Sequence, residues 1–216
     1  MTEALSVHLL SRHGHRSTPG VPFLGDLALA SARVHEVCGA ARRTFALALA
    51  GAMEGPALWI APGWAAERLN PEGMLRLADP SRFLFVTVRR AEDLLWSMEE
   101  ALRSGAVPLV VADLPEAPGL TPVRRLQLAA ETGAAEGACR PLGLLLTPEG
   151  AAPGVETRWS LSPRHADTRT EGWEMRRLRA RTLPEAAWNV AAGPDGRLAF
   201  RDREHEEVPP PGVEAG

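Results

Sequence analysis

Five short strand-like runs, each separated from the next by an amphipathic stretch, constrain this chain more than any other feature. They are 34–38 (VHEVC), 57–61 (ALWIA), 83–88 (FLFVTV), 108–113 (PLVVAD) and 143–147 (GLLLT). Between them, apolar residues recur near a 3.6-residue spacing over 40–53, 71–77, 91–104 and 121–132, the pattern of helices with one buried face. Strand, helix and strand in regular alternation predict an α/β fold with a largely parallel central sheet flanked by helices. Right-handed crossovers follow from that order.

The clearest helix is 91–104, with acids early, an arginine late and Gly105 as its stop. From Glu156 the rhythm changes. ETRWSLSPR, WEMRRLRAR and AAWNVAAGPDGRLAF read as consecutive strands, the last folded at GPDG, and predict an antiparallel extension of the sheet. A chain of 216 residues has the length of one domain. The expected organisation is a lead-in over 1–29, one α/β domain over 30–201, and a polar, proline-rich tail over 202–216 with too few apolar groups to offset the entropy of ordering.

The stretch VHEVCGAARRTFALALA, a strand running into a glycine turn and an alanine-rich helix, has the local architecture of a phosphate-binding loop. Such a loop needs curled backbone N–H groups, a lysine on the outer phosphates and a hydroxyl on magnesium. All 24 basic side chains here are arginine, so no phosphate-loop lysine, Schiff-base amine or ammonium base exists anywhere in the chain. The loop from Gly39 to Thr44, which includes Arg42, is short, Arg43 stands near the lysine position, and only Thr44 keeps the hydroxyl. Arginine is a planar fork and does not substitute for a compact ammonium. Asp113, at the end of an apolar strand, stands where a nucleotide hydrolase places its magnesium carboxylate. These residues predict a degenerate nucleotide loop without hydrolysis and without a cofactor, with a residual nucleotide-binding ATPase as an alternative reading.

As a set, RVHEVCG entering the loop, RSGAVPLVVADLPE, LTPVRRLQLAAE, LLLTPEGA before TRWSLSP, and the strand from Trp173 to Arg181 resemble the RecA-like family, and within it the degenerate ImuA-like (SulA-like) branch. The resemblance spans about 34–190. It implies a RecA-like fold. Active members carry a catalytic glutamate just after the second strand, where this chain has APGW with Gly63, so the resemblance also implies a non-catalytic protein rather than an ATPase. ImuA-like proteins act with a polymerase-like partner and a recombinase in SOS-linked mutagenesis and translesion synthesis. An accessory role with such a protein partner is therefore expected, as is the lack of a long filament, because filament-forming members join subunits through a longer leading segment.

A rival signal lies at the amino end. VHLLSRHGHRSTPG resembles the opening of the histidine phosphatases, in which His13 would attack phosphorus while Arg12 and Arg16 hold its oxygens. Its proline is displaced by one position, and the second histidine and acid are met only at His205–Glu206. His8, His13 and His15 without acid or cysteine partners are weak evidence for a metal, and no metal site is expected.

Arg177, Arg179 and Arg181 alternate with Leu178 and Ala180, so on a regular strand they would share one face. That stripe suits phosphates of single-stranded DNA, with Trp173 or Trp188 as a stacking surface, or a protein partner, or simply a solvated strand. The net charge of −3 gives no global attraction to nucleic acid, which sets the protein partner ahead of DNA. Trp59 and Trp96 read as core, whereas Trp64 beside the crevice reads as exposed and open to a partner. Cys38 and Cys139 carry no pairing motif, and no apolar run reaches membrane-spanning length. A reduced, cytoplasmic setting away from membranes is the expectation.

Overall fold

A computed structural model describes residues 20–164, 172–193 and 197–201. It opens on a hairpin of β1 (Gly20–Leu24) and β2 (Leu27–Ala30), followed by β3 (Val34–Cys38), α1 (Arg42–Ala52), β4 (Ala57–Pro62) and α2 (Pro71–Leu75). Next come a 3₁₀ turn (Pro80–Arg82), β5 (Phe83–Val88), α3 (Ala91–Ser104), β6 (Leu109–Asp113), α4 (Leu120–Glu136) and β7 (Leu142–Leu146). The chain continues through β8 (Thr157–Pro163), β9 (Gly172–Ala180), β10 (Ala186–Ala192) and β11 (Leu198–Phe200).

Among the described residues nine strands form one sheet in the order β11-β10-β9-β8-β3-β7-β6-β4-β5. The ladders from β8 through β3, β7, β6 and β4 to β5 are all parallel, and β9, β10 and β11 continue the sheet antiparallel. The α/β class, the parallel centre and an antiparallel extension are as the residue pattern predicts, except that β8, expected within the antiparallel extension, joins β3 in parallel and the antiparallel pairing starts between β8 and β9. Among the described residues no helix is long and apolar enough to cross a membrane.

Alternation along each strand divides the core into two layers. Leu109, Val111, Leu142, Leu144 and Leu146 face α1 and the hairpin, while Val110, Ala112 and Leu145 face α3 and α4. α1 is buried continuously from Phe45 to Ala50 and lacks a polar face over those residues, so it needs cover beyond the sheet. The hairpin contributes that cover, with Phe23 5.1 Å from Phe45 and 5.6 Å from Trp159, ring centroid to centroid. Residues 20–29, assigned from sequence to the lead-in, therefore contribute Phe23, Leu24 and Leu29 to the core.

On the opposite side, α3 carries Glu92 and Asp93 in its first turn and Arg103 in its last, and stops at Gly105 as expected. It packs so closely on α4 that a Cβ at Gly133 would lie 2.0 Å from the Leu102 carbonyl oxygen. Trp96 departs from expectation: it is 61% exposed, because Leu94, Met98 and Leu102 take the sheet-facing stripe of α3 and Trp96 falls on the outer one.

A buried ionic cluster ties the middle of the sheet together. Glu36, fully buried on β3, accepts from the Thr147 hydroxyl at 2.7 Å, the Ala152 N–H at 3.0 Å and Arg158 Nε at 2.5 Å. Arg158 also donates to the Ala152 carbonyl at 2.7 Å. Every charge in the cluster is paired and hydrogen-bonded, which is the condition for burying a carboxylate without a large penalty.

Candidate functional site: a self-paired crevice

Ligands of open α/β sheets bind beyond the carboxyl ends of the parallel strands, and the glycine turn after β3 opens at that end. Gly39 has φ of +89°, and a Cβ there would lie 2.7 Å from the Leu161 carbonyl, so the turn requires glycine on both counts. The turn's amides are largely committed. Gly39 N–H donates to Pro148 O at 3.2 Å, Ala41 N–H to Leu161 O at 3.0 Å and Arg42 N–H to Gly39 O at 3.3 Å. A phosphate cradle needs such groups aimed outward together, and here the neighbouring strand β8 takes part of the set.

The two residues that begin α1 reach across the sheet end to β6. Arg43 Nε donates to Asp113 Oδ2 at 2.6 Å, and its NH1 donates to Glu67 at 2.5 Å. Arg42 Nε stands 3.8 Å from Asp113 Oδ1, and its NH1 donates to Gly39 O at 3.3 Å. Asp113 is buried, whereas Glu67 comes from the exposed loop after β4. Burial alone would lower the Arg43 pKa, but hydrogen bonds and charge from Asp113 and Glu67 outweigh it and raise it. The guanidinium is fixed in its charged form.

Beside this pair lies a cleft of about 270 Å³, lined by Arg43, Glu67, Arg68 and Asp113 with Trp59 and Phe85 as its apolar wall. Two basic and two acidic side chains face it, so the cleft presents balanced charge. Thr44 lines a different cavity of about 380 Å³, with Leu77, Pro163 and Trp173. The structure thus brings Gly39, Arg42, Arg43 and Asp113 together and turns Thr44 towards another space, so the magnesium hydroxyl and carboxylate of a working loop do not converge. Among the described residues no three His, Cys, Asp or Glu side chains gather as a metal site. Burial, then the charge of Glu36, push the Cys38 thiol up, which leaves it a protonated core residue rather than a nucleophile.

Glu67 is the crevice residue that sequence reading missed. Gly63, placed by sequence where a catalytic glutamate would stand, donates its N–H to Val88 O at 2.8 Å. Glu67 then turns back from the same loop to Arg43. Its only signal in the sequence is being the first acid after β4, and the loop geometry that aims it carries no pattern.

The arginine stripe does not exist as a stripe. Arg158 pairs with Arg179 and the adjacent Trp159 with Arg177, so Leu178 is an extra residue in β9. That bulge sends Arg177 and Arg179 to opposite faces. Arg177 is buried, lies over Trp159 and Trp188 with its guanidinium carbon 5.7 and 5.3 Å from their centroids, and donates to Pro184 O at 2.9 Å. Burial lowers its pKa. Trp188, offered from sequence as a stacking surface, is itself buried against Trp159. Arg179 is exposed, and Arg181 lies past the end of β9 with Nε 3.4 Å from Glu156. Trp64 is 52% exposed, as its position predicts.

Arg12, His13, Arg16 and the other amino-terminal histidines, together with the His205–Glu206 pair and the tail, lie outside the described residues. No protein-family model matches the chain, and no curated protein matches it significantly.

Proposed function

We propose that this protein is a non-catalytic, RecA-like binding or assembly component, ImuA-like in character, that works with a polymerase-like or recombinase partner in damage-induced mutagenesis. The observation that carries the reading is the Arg43–Asp113 pair. The residue near the position of the phosphate-loop lysine and the residue at the position of the magnesium carboxylate satisfy each other. A nucleotide with its metal would have to part them, and parting a partly buried pair costs about 2 kcal/mol before any contact is gained.

The strand entering the glycine turn is central, the Asp113 strand lies two places away on the same carboxyl edge, and an antiparallel extension follows the parallel strands. This arrangement supports the RecA-like reading of the fold. Exposed Trp64, in the loop that runs from β4 to Glu67, supports a protein partner, because an indole held in solvent is a typical interface anchor. Single-stranded DNA stands behind it, since burial removes Arg177 from any phosphate contact and leaves Arg179 and Arg181.

Two measurements test the reading. Tagged protein recovered from DNA-damaged cells should bring down a polymerase-like protein or a recombinase, and Trp64→Ala should reduce that recovery. ATP with magnesium should give no turnover and no rise in melting temperature, whereas a genuine site at a hundred times its dissociation constant would add about 2.7 kcal/mol. A clear ATP-dependent stabilisation that Asp113→Ala abolishes would overturn the non-catalytic reading.

A further inference from the structure

We propose that β5 is a self-pairing edge: two copies of this protein join antiparallel through β5 about a two-fold axis at Phe85. Among the described residues the sheet ends at β5 on one side and at the three-residue β11 on the other. Natural sheets blunt a free edge with charge, proline, a bulge or brevity. β5, FLFVTV, has six residues in regular register with β4 and carries no charge and no proline.

Its exposure identifies the direction from which it is covered. Leu84 is 53% exposed and Phe85 57% exposed, and as neighbours on a strand they point to opposite faces of the sheet. A partner laid on one face would cover one of them. A strand added in the plane of the sheet covers both and also satisfies the outer backbone groups of β5, which no described strand pairs.

Geometry then selects the register. Directly opposed residues in an antiparallel pair share a face, so a two-fold axis normal to the sheet must pass through a residue and not between two. With the axis at Phe85, positions 83 to 87 of one copy run against 87 to 83 of the other. Phe85 meets Phe85 on one face, Leu84 meets Val86 on the other, and each gains an apolar cross-strand partner. An axis at Val86 gives a ladder of equal length but sets Phe85 against Thr87.

Charge is compatible with the same arrangement. The chain leaves β5 through exposed Arg89 and enters it from exposed Asp79, which caps the 3₁₀ turn by accepting from the Ser81 N–H at 2.9 Å, so antiparallel pairing brings Arg89 of each copy towards Asp79 of the other. A parallel partner copy would set like ends together. Arg82, at the same end as Asp79, turns its guanidinium inward to the Gly55 carbonyl at 2.8 Å and the Met53 carbonyl at 2.6 Å. Because the same edge is used by both copies, the assembly closes as a dimer and does not propagate.

Sedimentation of the full chain at rising concentration tests the proposal. The expected result is conversion to twice the chain mass. Leu84→Lys and Phe85→Lys, one on each face, should each weaken association by about tenfold or more while far-UV circular dichroism, and melting at concentrations low enough to hold the parent monomeric, stay unchanged. Two variants guard against a local folding defect at either one. Under mild oxidation Phe85→Cys should give a disulfide-linked dimer above the background of the parent thiols, Cys38 and Cys139. Leu84→Cys should not, because its diagonal Cβ separation of roughly 7 Å exceeds the roughly 4 Å a disulfide spans. A monomer at every concentration would overturn the proposal and leave the edge to an extended segment of another protein. So would a dimer indifferent to both lysines, or equal cross-linking of the two cysteine variants.

Discussion

Trp159 stands directly opposite Arg177 in the β8–β9 ladder, and the guanidinium caps its ring and that of Trp188 together. The stem and planar head of Arg177 are therefore packing material for the layer that also holds Phe23 and Phe45. Arg177→Ala should destabilise the fold by about 2 kcal/mol, from lost cation–π contact, packing and the bond to Pro184. Arg177→Met should recover much of that, and Arg179→Gln should cost no more than about 0.5 kcal/mol. Denaturant titration with tryptophan emission as the probe separates the three. A phosphate-binding arginine would do the reverse, leaving stability unchanged and weakening binding to single-stranded DNA.

The Arg43–Asp113 pair makes a prediction about coupling. Asp113→Ala leaves Arg42 and Arg43 converging on a space without its buried carboxylate, and should cost about 2 kcal/mol, less than a fully buried pair because Arg43 is partly exposed to solvent. Arg43→Met/Asp113→Ala together should cost less than the sum of the single changes by about 1 kcal/mol. Equilibrium unfolding of the four proteins measures the difference, and strict additivity would show that the pair contributes nothing.

His35 predicts an acid-sensitive stability. The ring is fully buried, its Nε2–H donates to the Ala30 carbonyl at 2.9 Å, and its Nδ1 accepts from the Thr157 hydroxyl at 2.7 Å. Burial lowers its pKa from 6.5 to about 4, against the opposing pull of the Ala30 hydrogen bond and with a small further push from Arg33. The unfolded chain therefore binds the proton first. Its contribution is fully present above pH 6.5 and is lost as pH falls towards 4, by about 3 kcal/mol in all. His35→Gln should flatten stability against pH across that window. Proton resonance of His35 titrating near its ordinary value in the folded protein would remove the basis for the effect.

The parallel strands were legible because each is a compact apolar run set off by glycine, proline or a helical stretch, and β3, β5 and α3 begin and end where the residues say. The hairpin was not. GVPFLGDLALA carries a proline and a short turn, and its role follows from the all-apolar surface of α1 rather than from its own pattern. In the crevice, the strand ends placed Gly39 and Asp113, but side-chain direction decided the rest. Arg43 turns to Asp113, Thr44 turns away, and one inserted residue at Leu178 breaks an alternation that looks regular in the sequence.

The Glu36 cluster bears on how the chain is made. Glu36 and Arg158 are 122 residues apart, and both strands that flank β3 in the sheet, β7 and β8, come from the later part of the chain. During synthesis the first parallel strand to emerge is thus the last to gain neighbours, while β4, β5 and β6 can already associate with one another. Until residue 158 has left the ribosome, a strand with Glu36 at its middle waits without Arg158. An acidic side chain at its middle disfavours pairing of the waiting strand with the wrong edge, which matters most in a sheet whose centre closes late.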